Sequence, residues 1–283
     1  MSFPEIETDN QVTYRDGYRI EKLSDSVYAI DSEAFESMYL VKGKTGAALI
    51  DTGMRAGRIM PMIRELCELP VILLLTHGHS DHMLHADEFE EVYLHEADIK
   101  KWHRGLGFMA AVSSPDPLGF MKMSAKLKFK ALTEGSIINL GDKKLRVIEA
   151  AGHTPGSVVF VDEEDKMVFT GDAIGSGSYA WTWMPFCSDA AEYMWSLERL
   201  QAKLLPYRDY RYLGGHRMQG YVSEEFPNAH ELSYELIEQM KELCMKLLRG
   251  ELEPIEYQKQ FGFTVGLYQW KDAAVVYRPK QLR

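Results

Sequence analysis

The seven residues Thr76-His77-Gly78-His79-Ser80-Asp81-His82 decide how this chain is to be read. Three of its nine histidines fall within six residues, with an aspartate among them. They come directly after Val71-Ile72-Leu73-Leu74-Leu75, a short unbroken apolar run that reads as a strand buried on both faces. In extended backbone, side chains two apart point the same way, so His77 and His79 can grip one ion together. Where the chain leaves the strand and turns, Asp81 and His82 can swing towards a second position. Imidazole nitrogens and carboxylate oxygens are the donors that Zn²⁺ and similar cations take.

Three later segments repeat the pattern of a donor just past an apolar run, beside glycine. His153 stands in Ala151-Gly152-His153-Thr154-Pro155-Gly156, after the strand expected at 145–148. Asp172 stands in Thr170-Gly171-Asp172-Ala173, after the strand expected at 167–170. His216 ends Leu213-Gly214-Gly215-His216, after a short strand at 210–213. Glycine lets backbone turn sharply and approach closely. Donors at several strand ends make a site on rigid supports.

The surrounding pattern is that of an α/β protein. Val27-Tyr28-Ala29-Ile30, Ser37-Met38-Tyr39-Leu40-Val41 and Ala47-Ala48-Leu49-Ile50 read as strands separated by turn signals. Asp51-Thr52-Gly53 ends the third, with Asp51 read as fixing a turn beside the site. Ile59, Met62, Ile63 and Leu66 lie at helical spacing, and further strands are expected at 92–94 and 157–161. Residues 103–132, interrupted by Gly105, Gly107, Pro115, Pro117 and Gly119, read as an irregular insertion, a flap or a packed cluster. Helices are expected at 190–204 and at about 228–249, the second with an apolar stripe of Leu232, Leu236, Met240, Leu243 and Leu247 and a C-terminal Gly250. Strands with interspersed helices in both halves suggest two packed sheets with helices outside.

These motifs, in this order, resemble those of the metallo-β-lactamase superfamily from about residue 25 to 220. The early Leu49-Ile50-Asp51-Thr52-Gly53 matches as well. The resemblance implies an α/β fold, the four-layer αββα sandwich, over residues 1–222, with 223–283 read as a C-terminal helical extension packed on the same domain. It implies two divalent metal ions, zinc first, with iron and manganese open. His77, His79 and His153 would bind one ion, Asp81, His82 and His216 the other, and Asp172 would bridge them. The best-known β-lactamase subclass has a cysteine where this chain has Asp172, so the resemblance points to the glyoxalase II and lactonase branch. The implied activity is hydrolysis of an ester, thioester or lactone by a metal-activated hydroxide, with Asp81 also relaying a proton. Two alternatives stay open: a mononuclear iron oxidoreductase like the persulfide dioxygenases, and a phosphodiesterase.

Composition narrows the partners. The 283 residues are 46% hydrophobic and 26% charged, ordinary for a globular protein, and the formal net charge is −10. Such a balance repels phosphate backbones, so a small-molecule substrate is expected and nucleic acid is not. No 18-residue apolar run and no secretory leader are present, so no membrane association and a cytoplasmic location are expected; a homodimer stays open. Cys67, Cys187 and Cys244 make neither a disulfide framework nor a CxxC pair, and Cys187 reads as a buried apolar residue. The aromatic stretch 179–186 suggests a pocket wall or core, with Tyr179, Trp181, Trp183 and Tyr221 as substrate-contact candidates. His95 and His103 read as packing or surface residues, His230 as surface, and His85 as either a surface residue or a support behind the ligands.

Overall fold

The computed structural model describes residues 12–32, 36–175, 179–217, 232–260 and 262–278. The chain forms two compact units: Met1–Val147 with Phe160–Asp165, and Ile148–Val159 with Lys166–Arg283. The chain passes between them three times, after residues 147, 159 and 165.

The first unit is built on an eight-stranded sheet in sequence order, β1 (Val12–Arg15), β2 (Tyr18–Lys22), β3 (Val27–Ser32), β4 (Ser37–Lys42), β5 (Ala47–Ile50), β6 (Val71–Leu74), β7 (Val92–His95) and β8 (Phe129–Leu132). The first five are antiparallel neighbours and the last four parallel ones. The change comes where helical crossovers begin, because parallel neighbours need a long return. Helix α1 (Met60–Leu66) makes the first return, with Pro61 in its opening turn and Ile59, Met62 and Ile63 buried, three of the four positions read as one face. β5 is buried at every residue and Leu73 and Leu74 of β6 are fully so, as the unbroken apolar runs require.

Between β6 and β7 lies the single-turn helix α2 (Ser80–Met83). Between β7 and β8, the segment read as irregular is largely helical: α3 (Glu96–Lys101), a wide turn kinked at Gly105, then α4 (Gly107–Ser113) and α5 (Pro117–Ser124). The residues taken as breakers set the boundaries. Gly105 takes φ +124°, and Pro117 opens α5 behind Asp116, whose carboxylate accepts from Gly119 N at 3.0 Å.

The hairpin of β9 (Ile137–Asn139) and β10 (Lys144–Glu149) closes this unit. Lys143, 6% exposed, donates to Ser26 Oγ at 2.8 Å and to Asp162 Oδ2 at 3.0 Å, and pairs with Asp165. Ser26 Oγ in turn donates to Asp165 Oδ2 at 2.6 Å. One cation thus ties the turn before β3 and the turn after β11 (Val158–Asp162) to this hairpin.

In the second unit, β12 (Met167–Gly171) pairs in parallel with β14 (Arg211–Gly214). β13 (Ala180–Trp181) joins the edge of a second sheet in the order β13-β17-β16-β15, formed with β15 (Glu256–Gln260), β16 (Phe263–Trp270) and β17 (Ala273–Tyr277). Helix α6 (Ala190–Leu204) starts and ends where the sequence pattern puts it, capped by Asp189. Helix α7 (Tyr234–Leu248) buries the expected stripe, and Gly250 closes it at φ +66°. The expected start near 228 lies outside the described residues. The helical extension needs correction: beyond α7 the chain is three strands. They pair with one another as an antiparallel meander, and the two-residue β13 from far upstream adds to its edge.

Removing the Lys143 ammonium leaves two carboxylates close together with no counter-charge. Lys143→Met should therefore cost about 3–5 kcal/mol in urea unfolding; a loss below about 1 kcal/mol would show that the network does not hold the hairpin.

Candidate metal centre

In the first unit, Asp51 comes just after β5 and its backbone N donates to Leu74 O at 2.9 Å, which sets it beside the end of β6. It is 2% exposed and takes φ +60°. Its Oδ1 accepts from Thr76 N at 2.8 Å, and its Oδ2 accepts from Thr76 Oγ1 at 2.7 Å. The same Oδ2 lies 2.8 Å from His82 Nδ1, which therefore carries the proton. With its own proton on Asp51, Thr76 Oγ1 accepts from His77 Nδ1 at 3.0 Å. Both rings are thereby fixed in the tautomer that presents Nε2 as a lone pair.

His79 approaches from the other side. Its Nδ1 lies 3.1 Å from His77 Nε2, with the rings edge-on at 82°. His82 Nε2 lies 3.6 Å from Asp81 Oδ2. His77 and His82 are buried, while Asp81 keeps 30% of its side chain in solvent. Gly78 permits the loop: its N–H donates to Asp98 Oδ2 at 3.0 Å, and a Cβ there would stand 3.0 Å from Leu106 Cδ2. Asp98, fully buried in α3, is a support that the sequence pattern did not reveal. Behind α2, His85 Nε2 donates to Arg55 O at 2.9 Å and its backbone N to Thr52 Oγ1 at 3.2 Å. Burial lowers its imidazole below the ordinary value, outweighing the nearby Glu88. Glu88 in turn accepts from Ile59 N and Met60 N, holding the start of α1. His85 thus packs behind α2 against Arg55, Thr52 and Glu88, while His95 is buried as the cap of α3 and His103 is exposed.

In the second unit, β12 and β14 are parallel neighbours with Gly171 opposite Gly214, so Asp172 and His216 leave adjacent strand ends together. His216 Nε2 lies 3.3 Å from Asp172 Oδ2, and His153 Nε2 lies 3.6 Å from the same oxygen. His153 Nδ1 donates to Trp181 O at 2.8 Å, which again leaves Nε2 outward. Gly152 is required here, since at φ +157° an added Cβ would stand 2.2 Å from the Tyr193 ring.

The aromatic candidates separate. Trp183 is 4% exposed and packs with Val265, Leu267, Ala274 and Val276, and its indole N–H donates to Gln260 Oε1 at 2.9 Å. Its packing is that of a core residue, the second of the two readings the stretch allowed. Trp181 contributes its carbonyl to His153, and its ring lies half-buried, stacked on Tyr179. Tyr221 lies outside the described residues, as does His230. Cys187 is half-buried rather than buried and donates to His153 O.

Each unit thus presents nitrogen and carboxylate donors, and His77, His82 and His153 have their Nδ1 already engaged. No thiol is among them. Such a set fits borderline divalent cations.

The family model of the metallo-β-lactamase superfamily matches residues 32–216. The acyl-coenzyme A thioesterase MBLAC2 of Homo sapiens is 27% identical over 212 residues, covering 65% of this chain and 75% of that protein. The hydroxyacylglutathione hydrolase GloC of Haemophilus influenzae is 30% identical over 164 residues, covering 58% and 76%. Among solved structures, a metallo-β-lactamase from Pontibacter korlensis superposes with a TM-score of 0.57 at 19% identity, over 81% of this chain and 99% of that one. The chain belongs to the metallo-β-lactamase superfamily. Its α/β fold is that family's, and it is a metal-dependent hydrolase.

Replacing Asp51 by alanine removes the acceptor that orients His82 directly and His77 through Thr76. Metal affinity, read by competition with a chelator, should fall about 10–100-fold. Unchanged affinity would show that the rings keep their orientation without it.

Proposed function

We propose that this chain hydrolyses an acyl thioester, or a related ester or lactone, at a dinuclear centre. His77, His79 and His153 hold one divalent cation, Asp81, His82 and His216 the other, and Asp172 bridges both, with zinc the first choice of metal. The observation that carries this reading is the position of Asp172 Oδ2, faced by two Nε2 atoms at 3.3 and 3.6 Å. A carboxylate offers a second oxygen for a second cation, which a cysteine would not.

When bound, the cations supply a hydroxide at neutral pH and polarise the acyl carbonyl. The chain's residues do the rest. The Nδ1–H bonds of His77, His82 and His153 keep three rings from turning during turnover. Asp81, partly open to water, would take the proton given up as the water becomes hydroxide and pass that proton to the leaving sulfur or oxygen. The thioester preference draws on the relatives named as an acyl-coenzyme A thioesterase and a hydroxyacylglutathione hydrolase.

Metal quantification paired with a panel of thioesters, lactones, persulfides and phosphodiesters tests this. Two zinc ions per chain and turnover of a thioester are expected. His79→Ala should lower both metal content and kcat/KM, the latter by about a hundredfold or more. One iron with oxygen consumed on a persulfide would replace the hydrolytic reading, and full activity in His79→Ala would overturn the site.

A further inference from the structure

The charge of this chain is unevenly spread. Against a total of −10, residues 100–130 hold seven lysines and arginines and a single acid, Asp116, a formal +6. Lys100 and Lys130 are paired, with Glu96 at 2.9 Å and Glu91 at 2.7 Å. Arg104, Lys122, Lys126 and Lys128 are exposed and have no carboxylate partner among the described residues.

The same segment holds a concentration of exposed large apolar side chains. Phe108 (60% exposed) and Val112 (54%) stand one turn apart on α4, and Leu118 (71%) and Met121 (46%) one turn apart on α5. The inward faces are already used: Ala110 and Ala111 of α4 and Phe120 of α5 are buried. Lys122 lies one turn beyond Leu118 on α5, and Lys126 and Lys128 follow just after the helix ends. Apolar side chains left in water mark an interaction surface, and the unpaired cations beside them match a partner that is apolar inside and anionic at its surface.

We propose that α4 and α5 dock on the surface of an anionic lipid bilayer, Phe108, Val112, Leu118 and Met121 entering the headgroup boundary while Arg104, Lys122, Lys126 and Lys128 meet lipid phosphates. The lack of a spanning helix among the described residues does not bear on attachment from one side. Nucleic acid fits less well, since it has no use for four exposed aliphatic and aromatic groups set on two helices without base-stacking platforms. The insertion touches the metal-ligand loop within its own unit: Ser113 Oγ lies 3.2 Å from Ser80 Oγ, and the Leu106 side chain closes on Gly78. Docking would therefore carry His77, His79, Asp81 and His82 to the bilayer surface, where long-chain acyl compounds concentrate.

Flotation of the full chain with vesicles of phosphatidylcholine, with and without phosphatidylserine, tests the proposal. The protein should float with the phosphatidylserine vesicles at low salt and be released at high salt. Phe108→Ser with Leu118→Ser should weaken partitioning about tenfold or more, and reversing Lys122, Lys126 and Lys128 to glutamate about fivefold or more per residue. The lysines are exposed, so the second variant carries the test if the first melts early. No flotation, equal flotation with both vesicle types, or equal flotation of wild type and the lysine variant would overturn the proposal. So would a salt-sensitive dimer or an oligonucleotide complex formed through these residues in place of vesicle binding.

Discussion

The carboxylate of Asp51 is the point from which the ligand loop of the first unit is hung. It takes a backbone N–H and a hydroxyl from Thr76 and a ring N–H from His82, all at 2.7–2.8 Å and out of water. Hydrogen bonds to a charged group contribute about 1.5–3 kcal/mol each, while a left-handed φ at aspartate costs about 1 kcal/mol. The three bonds win, and the strained backbone is retained because the acid must reach all three donors at once. From there orientation spreads outward: Thr76 turns to accept from His77, and His77 presents Nε2 to the nitrogen of His79.

The candidate donors stand out in the sequence because metal sites need particular residue types at particular spacings, and His77, His79, Asp81, His82, His153, Asp172 and His216 each come after a strand or its turn. Their supports were less legible. Asp51 could be read as a turn residue beside the site, but that it orients His82 depends on β5 and β6 being parallel neighbours. Asp98 gave no signal, because an aspartate in an amphipathic helix looks like a surface residue until its partner, Gly78 N, is known.

Fold was readable where burial is total or periodicity is long, as in β5, β6 and α6. It failed after α7, where the expected helical extension is the antiparallel meander β15-β16-β17 with β13 added at its edge, and Trp183 packs into that sheet's core. In the insertion, the same glycines and prolines that suggested irregular chain turned out to kink and start helices. Helix ends and loops use one vocabulary of residues, and a glycine or proline alone does not say whether a helix begins beyond it.

The passage of the chain between the two units inside β10 and β11 has a consequence for biosynthesis. Phe160–Asp165 belongs to the first unit yet is made after Ile148–Val159 of the second. As the nascent polypeptide emerges, the amino-terminal unit cannot finish folding until residue 165 is out, because Lys143 has no carboxylate to meet before then. The first unit therefore closes only after a stretch of the second has been made. A ribosome pausing between residues 148 and 160 would leave the β9–β10 hairpin made but Lys143 without Asp162 and Asp165, its apolar side still open to aggregation.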